Sequence, residues 1–209
     1  MTLWAIVPSR PLTEGKSRLA EILTPDERRA LNEGFFRQTL TTAAAIAGRS
    51  RTLAISRSEA VLDAARSMAC GALLEQAPYG LNAALDQAAN MARTLGATII
   101  LSVSCDLPFL MPDDLQALLQ AAEEGLAIAR DRSGQGTNAL VVSPVGAIPY
   151  CYGPDSFRAH QAAALAAGRR IGVVERTGLS FDIDTPDDFE QMKELRGQDR
   201  YSMAVALSE

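Results

Sequence analysis

Short apolar runs alternate along the chain with longer stretches in which apolar residues recur every three or four positions, and polar turn formers separate the two. Residues 3–7 form a continuous apolar run that ends at Pro8, as expected of a parallel strand buried on both faces. Thr24-Pro25-Asp26-Glu27 reads as a helix start, with Thr24 as N-cap, Pro25 at the first helical position and Glu27 at the capping-box position. That helix is expected to reach about Ala47 and stop at Gly48. Residues 51–56 read as a strand, Ser58 can cap a helix through about Ala69, and residues 72–74 make a short third strand. After Gly80, the residues Leu81, Leu85, Ala88, Ala92 and Leu95 recur at helical spacing until Gly96. The most strand-like run, residues 98–103, ends in Ser104-Cys105-Asp106-Leu107-Pro108. Beyond it the pattern predicts a helix over 112–123, strands at 126–130 and 139–143 around a Gly-rich loop, and a helix from Asp155 or Ser156 to Ala167. A late strand at 171–175 and a last helix at 187–195 complete the reading.

Strands alternating with helices predict an α/β fold with a mostly parallel central sheet and helices on both faces. Two strands flanking one Gly-rich loop break the alternation, so an antiparallel strand is expected there. With no internal repeat or linker, residues 1–195 read as a single domain, and 196–209 as a weakly patterned tail, loosely ordered or packed at an edge. A chain of 209 residues can bury a continuous core without disulfides or structural metal.

The formal charge of −5 argues against a nucleic-acid or anionic-membrane partner. An acidic protein that handles phosphates must gather its cations locally or recruit a divalent metal. Three widely spaced cysteines without a CxxC pair read as reduced thiols. No run is long enough for a membrane helix, and the apolar start of the chain is too short for a signal, so the expected location is the cytoplasm.

Ligands of open α/β sheets bind at the carboxyl ends of strands. Three polar segments follow predicted strands. In the first, Arg10, Lys16 and Arg18 place three cations in nine residues after the first strand. Gly15-Lys16-Ser17 looks like the end of a P-loop, but Arg10 stands at the position of its first glycine, and that reading is rejected. In the second, Asp106 closes a buried apolar run, where an ionised carboxylate is costly without a partner such as a metal. In the third, Phe181-Asp182-Ile183-Asp184-Thr185-Pro186, extended backbone puts Asp182 and Asp184 on one side and the apolar residues on the other. Asp184 or Thr185 can equally cap the helix that follows. Gly80-Leu81-Asn82 opens a helix and offers donors for a base or ribose, although an ordinary helix start is as good an account. Thr137 and Asn138 follow the Gly-rich loop, and Gly153 and Ser156 lie at a helix N-terminus suited to anions. His160, the only histidine, has no partners at catalytic spacing and reads as helix surface or core; Cys105 reads as a packing residue.

Taken in order and spacing, these motifs resemble the 2-phospho-L-lactate guanylyltransferase family of coenzyme F-420 biosynthesis. The resemblance covers nearly all of residues 1–195 and rests on Val7-Pro8-Ser9-Arg10-Pro11 with Lys16-Ser17-Arg18-Leu19, Gly80-Leu81-Asn82 and Asp106-Leu107-Pro108. It continues through Asp131-Arg132 with Gly136-Thr137-Asn138-Ala139-Leu140, Gly153-Pro154-Asp155-Ser156-Phe157 and Asp182-Ile183-Asp184-Thr185-Pro186. It implies a single-domain nucleotidyltransferase of glycosyltransferase-A-like fold, with GTP as donor and 2-phospho-L-lactate, phosphoenolpyruvate or 3-phospho-D-glycerate as acceptor. It further implies Pro8, Arg10, Lys16, Gly80 and Asn82 as nucleotide contacts, Thr137, Gly153 and Ser156 as phospho-acid contacts, and Mg²⁺ on Asp106 with Asp184 or Asp182. Lys16, Arg18 and Asp106 are the expected catalytic residues. One departure is Arg10, where the family commonly has Lys in its Val-Pro-x-Lys-Pro motif. A different base or acceptor, as in molybdopterin-type guanylyltransferases, and a non-catalytic nucleotide-binding regulator remain open alternatives, as does a homo-oligomer.

Overall fold

The computed structural model describes the backbone of residues 1–206 and the side chains of residues 1–197. Seven strands, β1 (Leu3–Pro8), β2 (Thr52–Ser56), β3 (Gly71–Leu74), β4 (Ile99–Val103), β5 (Leu126–Arg130), β6 (Thr137–Val142) and β7 (Gly172–Val173), form one sheet. Their spatial order is β3-β2-β1-β4-β6-β5-β7. Strand β6 pairs antiparallel with both neighbours, while every other pairing is parallel, as the break in alternation around the Gly-rich loop predicts.

The helices are α1 (Pro25–Ala47), α2 (Glu59–Ser67), α3 (Leu81–Thr94), α4 (Pro112–Ala121), α5 (Ser156–Ala166), α6 (Thr177–Ser180) and α7 (Pro186–Ala206), with short 3-10 turns at Ser17–Glu21 and Arg49–Arg51. Period-two alternation along the strands decides which helices cover which face. Ala5, Val7, Leu101, Val103, Ala127 and Ala139 point into a core shared with α1, α2 and α4. Trp4, Ile6, Leu53, Ile55 and Ile100 point the other way onto α3. Leu126, Ile128, Leu140 and Val142 continue that second face onto α5. A smaller cluster of Leu19, Phe35, Phe181, Ile183 and Met192 ties the first 3-10 turn, α1 and α7 together beside the sheet.

The start of α1 is as expected: Thr24 Oγ1 accepts from the Glu27 backbone N–H, and the Glu27 carboxylate accepts in return from Thr24 N at 2.8 Å. Two expectations need correction here, and one cannot be compared. The last helix continues to Ala206 instead of stopping at Leu195, so the tail pattern, though weak, is helical that far. The expected packing of the tail falls on side chains from 198 onward and on residues 207–209, which lie outside the described residues. The late strand shrinks to Gly172–Val173, and α6, whose Gly178 masks any helical signal, follows it.

Candidate active site

The carboxyl ends of β1 and β4 open onto the same edge of the sheet, because these strands are parallel neighbours in register from Leu3 opposite Ile99 to Ile6 opposite Ser102. The loop after β1 carries Lys16, and the loop after β4 carries Asp106. Lys16 adopts the left-handed conformation, φ 60°, as the residue before the 3-10 turn. That backbone is unusual for a residue with a Cβ and needs support from its surroundings. The support is the side chain: Nζ donates to Asp106 Oδ2 at 2.9 Å and to the Ile183 carbonyl, and lies 3.5 Å from Asp184 Oδ1. The Lys16 side chain is only 7% exposed, so its ammonium is committed to this junction. Burial pulls its pKa down, but the charge and hydrogen bond of Asp106, with Asp184 behind, outweigh burial and leave it raised.

Ile183 N donates to the Asp106 carbonyl at 3.3 Å, so the segment 181–184 lies alongside the loop after β4. Phe181 and Ile183 are buried, Asp182 is half-buried and Asp184 is exposed, the alternation expected of extended backbone. Asp182 has its carboxyl pushed up to about 6, first by burial and then by the negative charges of Asp106, Asp184 and Asp131. Three aspartates from two loops therefore crowd one place, answered by the single ammonium of Lys16. The hard oxygens and surplus negative charge suit a divalent cation. Among the described residues, however, no three His, Cys, Asp or Glu side chains already converge on one point. Burial pushes the Cys105 thiol up to about 11, with Asp106 adding to it, which agrees with a packing role and not a nucleophilic one.

Pro8 is the last residue of β1, and the next amide, Ser9 N, donates to the Ile55 carbonyl at 3.0 Å. Arg10 and Arg18 are exposed on the same loop, without an ion-pair partner among the described residues. Gly80 precedes α3 with φ 140°, and no side chain caps that helix. Asn82 does not point its amide freely: Nδ2 donates to the Tyr152 carbonyl at 2.9 Å, and Oδ1 accepts from Tyr152 N at 2.7 Å. It ties the start of α3 to the loop that carries Gly153.

Thr137 and Ser156 are brought into contact, Oγ to Oγ1 at 3.2 Å, although they stand on different elements. The cause is β6: being reversed, it begins where β4 ends, with Val103 opposite Ala139, and so delivers Thr137 to the site edge. The α5 N-terminus meets it there, fixed by a Phe157 N–H bond to the Gln135 carbonyl of the Gly-rich loop at 2.9 Å. Gly153 has φ 145° and Asp155 is left-handed, φ 55°, so the loop bends sharply into α5, whose first turn also lacks a side-chain cap.

Two residues take contacts to which the sequence assigns no role. Arg132 of the Gly-rich loop bonds to Asp188, donates to Gln191 Oε1 at 2.6 Å and lies 3.9 Å over the Phe181 ring, latching that loop to α7. His160 is fully buried on α5, 3.1 Å from Thr137 Oγ1 through Nδ1. Burial lowers its pKa to about 4, with the Ser156 backbone acting against that shift. No spacing in the sequence announces either contact; the lone histidine in a segment read as helix is the only available signal. A cavity of about 530 Å³ lined by Phe109, Met111, Arg176 and Leu195, among others, contains none of the expected site residues.

Comparison with known proteins shows the fold and the family. The 4-diphosphocytidyl-2C-methyl-D-erythritol synthase of Anaerococcus prevotii superposes with a TM-score of 0.62 at 9% identity, covering 94% of this chain and 96% of that one, which speaks to the fold alone. The phosphoenolpyruvate guanylyltransferase of Rubrobacter xylanophilus is 38% identical over 199 residues, 94% of this chain and 96% of that protein. That of Sphaerobacter thermophilus is 39% identical over 193 residues, 92% and 93% of the two chains. A family profile described as guanylyl transferase, CofC like, matches residues 3–205. The chain belongs to the CofC-like guanylyltransferase family.

Proposed function

We propose that this protein transfers GMP from GTP to a three-carbon phospho-acid, with phosphoenolpyruvate the first candidate, releasing pyrophosphate in the assembly of the deazaflavin coenzyme F-420. The observation that carries the reading is the junction of Lys16 with Asp106 and Asp184 at the carboxyl ends of β1 and β4, in a chain whose relatives are named phosphoenolpyruvate guanylyltransferases.

A phosphate oxygen of the acceptor attacks the α-phosphorus of GTP in line, and the bond to the bridging oxygen of pyrophosphate breaks. The attacking group is already ionised near neutral pH, so no general base is needed, in keeping with a single histidine that stands neutral at pH 7. The protein's contribution is then positioning and charge neutralisation. The loop after β1 holds the GTP phosphates, with Lys16, Arg10 and Arg18 offsetting the charge that develops on pyrophosphate. Pro8, Gly80 and Asn82 shape the nucleotide side. Thr137, Ser156 and Gly153, at an α5 N-terminus free of a side-chain cap, face the phospho-acid. Asp106 with Asp184 or Asp182 would hold Mg²⁺, which when bound lessens the repulsion between donor and acceptor phosphates.

The test is pyrophosphate release from GTP with phosphoenolpyruvate, 2-phospho-L-lactate and 3-phospho-D-glycerate in parallel, with ATP, CTP and UTP as donor controls. Release that needs GTP and one of these acids, is lost with EDTA and returns with Mg²⁺ supports the whole reading. Release that persists in EDTA removes the metal, and silence with all three acids removes the acceptor class.

A further inference from the structure

We propose that His160 is a positioning residue of the acceptor side, whose ring, held in the Nδ1–H tautomer, turns the Thr137–Ser156 hydroxyl pair so that one O–H points to the anionic oxygens of the phospho-acid. The inference rests on the proposed acceptor contacts of Thr137 and Ser156.

The starting point is the Cys151 backbone N–H, which lies 2.9 Å from His160 Nε2. A backbone amide can only donate, so Nε2 must be the unprotonated nitrogen. A neutral imidazole then carries its proton on Nδ1, which lies 3.1 Å from Thr137 Oγ1. Neutrality follows from place: His160 is 0% exposed, with Tyr152 packed edge-on at 4.9 Å between ring centroids and, among the described residues, no carboxylate bonded to the ring. One backbone donor and the burial of one ring thus settle which way the next hydroxyl can turn.

Thr137 Oγ1 accepts from Nδ1–H, and it also meets Ser156 Oγ at 3.2 Å. Two hydroxyls share that contact and need only one proton between them. If Ser156 donates, the Thr137 proton remains to be placed; if Thr137 donates, the Ser156 proton remains. Among the described residues neither proton has a further acceptor. Both side chains are buried, at 5% and 2% exposure, where a hydroxyl proton left without an acceptor is costly. An anionic oxygen at the α5 N-terminus relieves that cost. A ring with the opposite tautomer would instead accept at Nδ1 and draw the Thr137 proton inward, away from the ligand. His160 acts through Thr137 and has no contact of its own to make with substrate or nucleotide.

Because the chain has one histidine, its two ring nitrogens can be followed by nitrogen-15 NMR in the full-length wild-type protein. The expected result is a neutral ring protonated at Nδ1 at pH 7, with the Nδ1 signal moving when phosphoenolpyruvate is added. An Nε2–H tautomer, a charged ring, or an Nδ1 signal indifferent to phosphoenolpyruvate would overturn the proposal. Two variants give an independent reading. In His160→Asn the amide nitrogen stands near Nδ1 and can still donate to Thr137, whereas in His160→Gln the amide reaches the Nε2 position and the donor to Thr137 is lost. KM for phosphoenolpyruvate is expected to rise roughly threefold to tenfold in His160→Gln, the worth of about one hydrogen bond, and to stay within about twofold in His160→Asn. KM for GTP is expected to hold in both. Equal shifts in the two variants, or a parallel rise in KM for GTP, would indicate mere loosening of the core and reject the positioning role. A wild-type enzyme that uses no phospho-acid at all would instead bring down the acceptor reading, a failure visible before any variant is made.

Discussion

Lys16 holds a left-handed backbone that costs on the order of 1 kcal/mol for a residue with a Cβ, and it is kept there by bonds to Asp106 and the Ile183 carbonyl. Asp106 is thus bonded to a nearly buried ammonium and is proposed to work in catalysis as well. Asp106→Asn retains an acceptor for Lys16 but removes the charge. We expect kcat to fall on the order of 100-fold or more, while thermal melting shows a cost of about 2 kcal/mol or less and an intact fold; a near-normal rate would take Asp106 out of the site. His160 supplies a separate test in stability. Its pKa is near 4 in the folded protein against an ordinary 6.5, so unfolding takes up a proton between those values. The neutral ring's contribution is complete above pH 6.5 and is lost as pH falls toward 4, by up to about 3 kcal/mol. Denaturant titrations across that window should show a flatter pH dependence in His160→Gln than in wild type; parallel slopes would mean the ring is not buried neutral. At this scale the sequence reveals Asp106, Lys16 and the aspartate pair, because charge after a buried strand is conspicuous. Thr137 and Ser156 are named by the resemblance, but their mutual contact and the place of His160 behind them stay hidden, because those contacts depend on how α5 docks.

Among the elements, α1 was the most legible, since Thr24, Pro25 and Glu27 spell out its start and Gly48 its end. Removing the reciprocal cap by Thr24→Ala should cost about 1 kcal/mol in chemical denaturation and leave pyrophosphate release unchanged, as α1 only backs the site. A loss of activity beyond twofold would show that α1 positions the loop before it. Strand β6 begins at Thr137, two residues before the start its sequence pattern predicts. Thr137 and Asn138 look like loop residues by type, but both are buried and bonded, Asn138 Nδ2 to the Leu179 carbonyl at 3.0 Å. Helix α6 carries no sequence signal of its own, and its Gly178 has a packing reason. A Cβ there would collide with Asp114 Oδ2 and lie 2.8 Å from the Phe109 carbonyl oxygen. Gly178→Ala should therefore destabilise the fold by roughly 2 kcal/mol or more, read as a lower denaturation midpoint. An unchanged midpoint would mean that α6 can shift away from α4 without loss.

For the molecule as a whole, the alternation of strand and helix was sufficient to predict the parallel sheet and both helix layers, while strand order was not, since it depends on which edges meet after collapse. The order has a measurable consequence. Strands β1 and β4 are covered on both faces and paired on both edges, whereas β7 is a two-residue edge strand. Amide exchange should be slowest in β1 and β4 and fastest in β7 among the strands; rapid exchange in β1 would contradict this order. The reversal of β6 has a different consequence. Strands β5 and β6 form a hairpin whose tip, residues 131–136, reaches the edge of the candidate site while its register is set by pairing farther down, from Leu126 opposite Val142. A hairpin closes on itself, so its tip can gain, lose or exchange residues across generations without displacing the crossovers that carry the loops after β1 and β4. On the proposed assignment of the two sides, evolution can thus retune which acid is taken while inheriting the nucleotide grip intact.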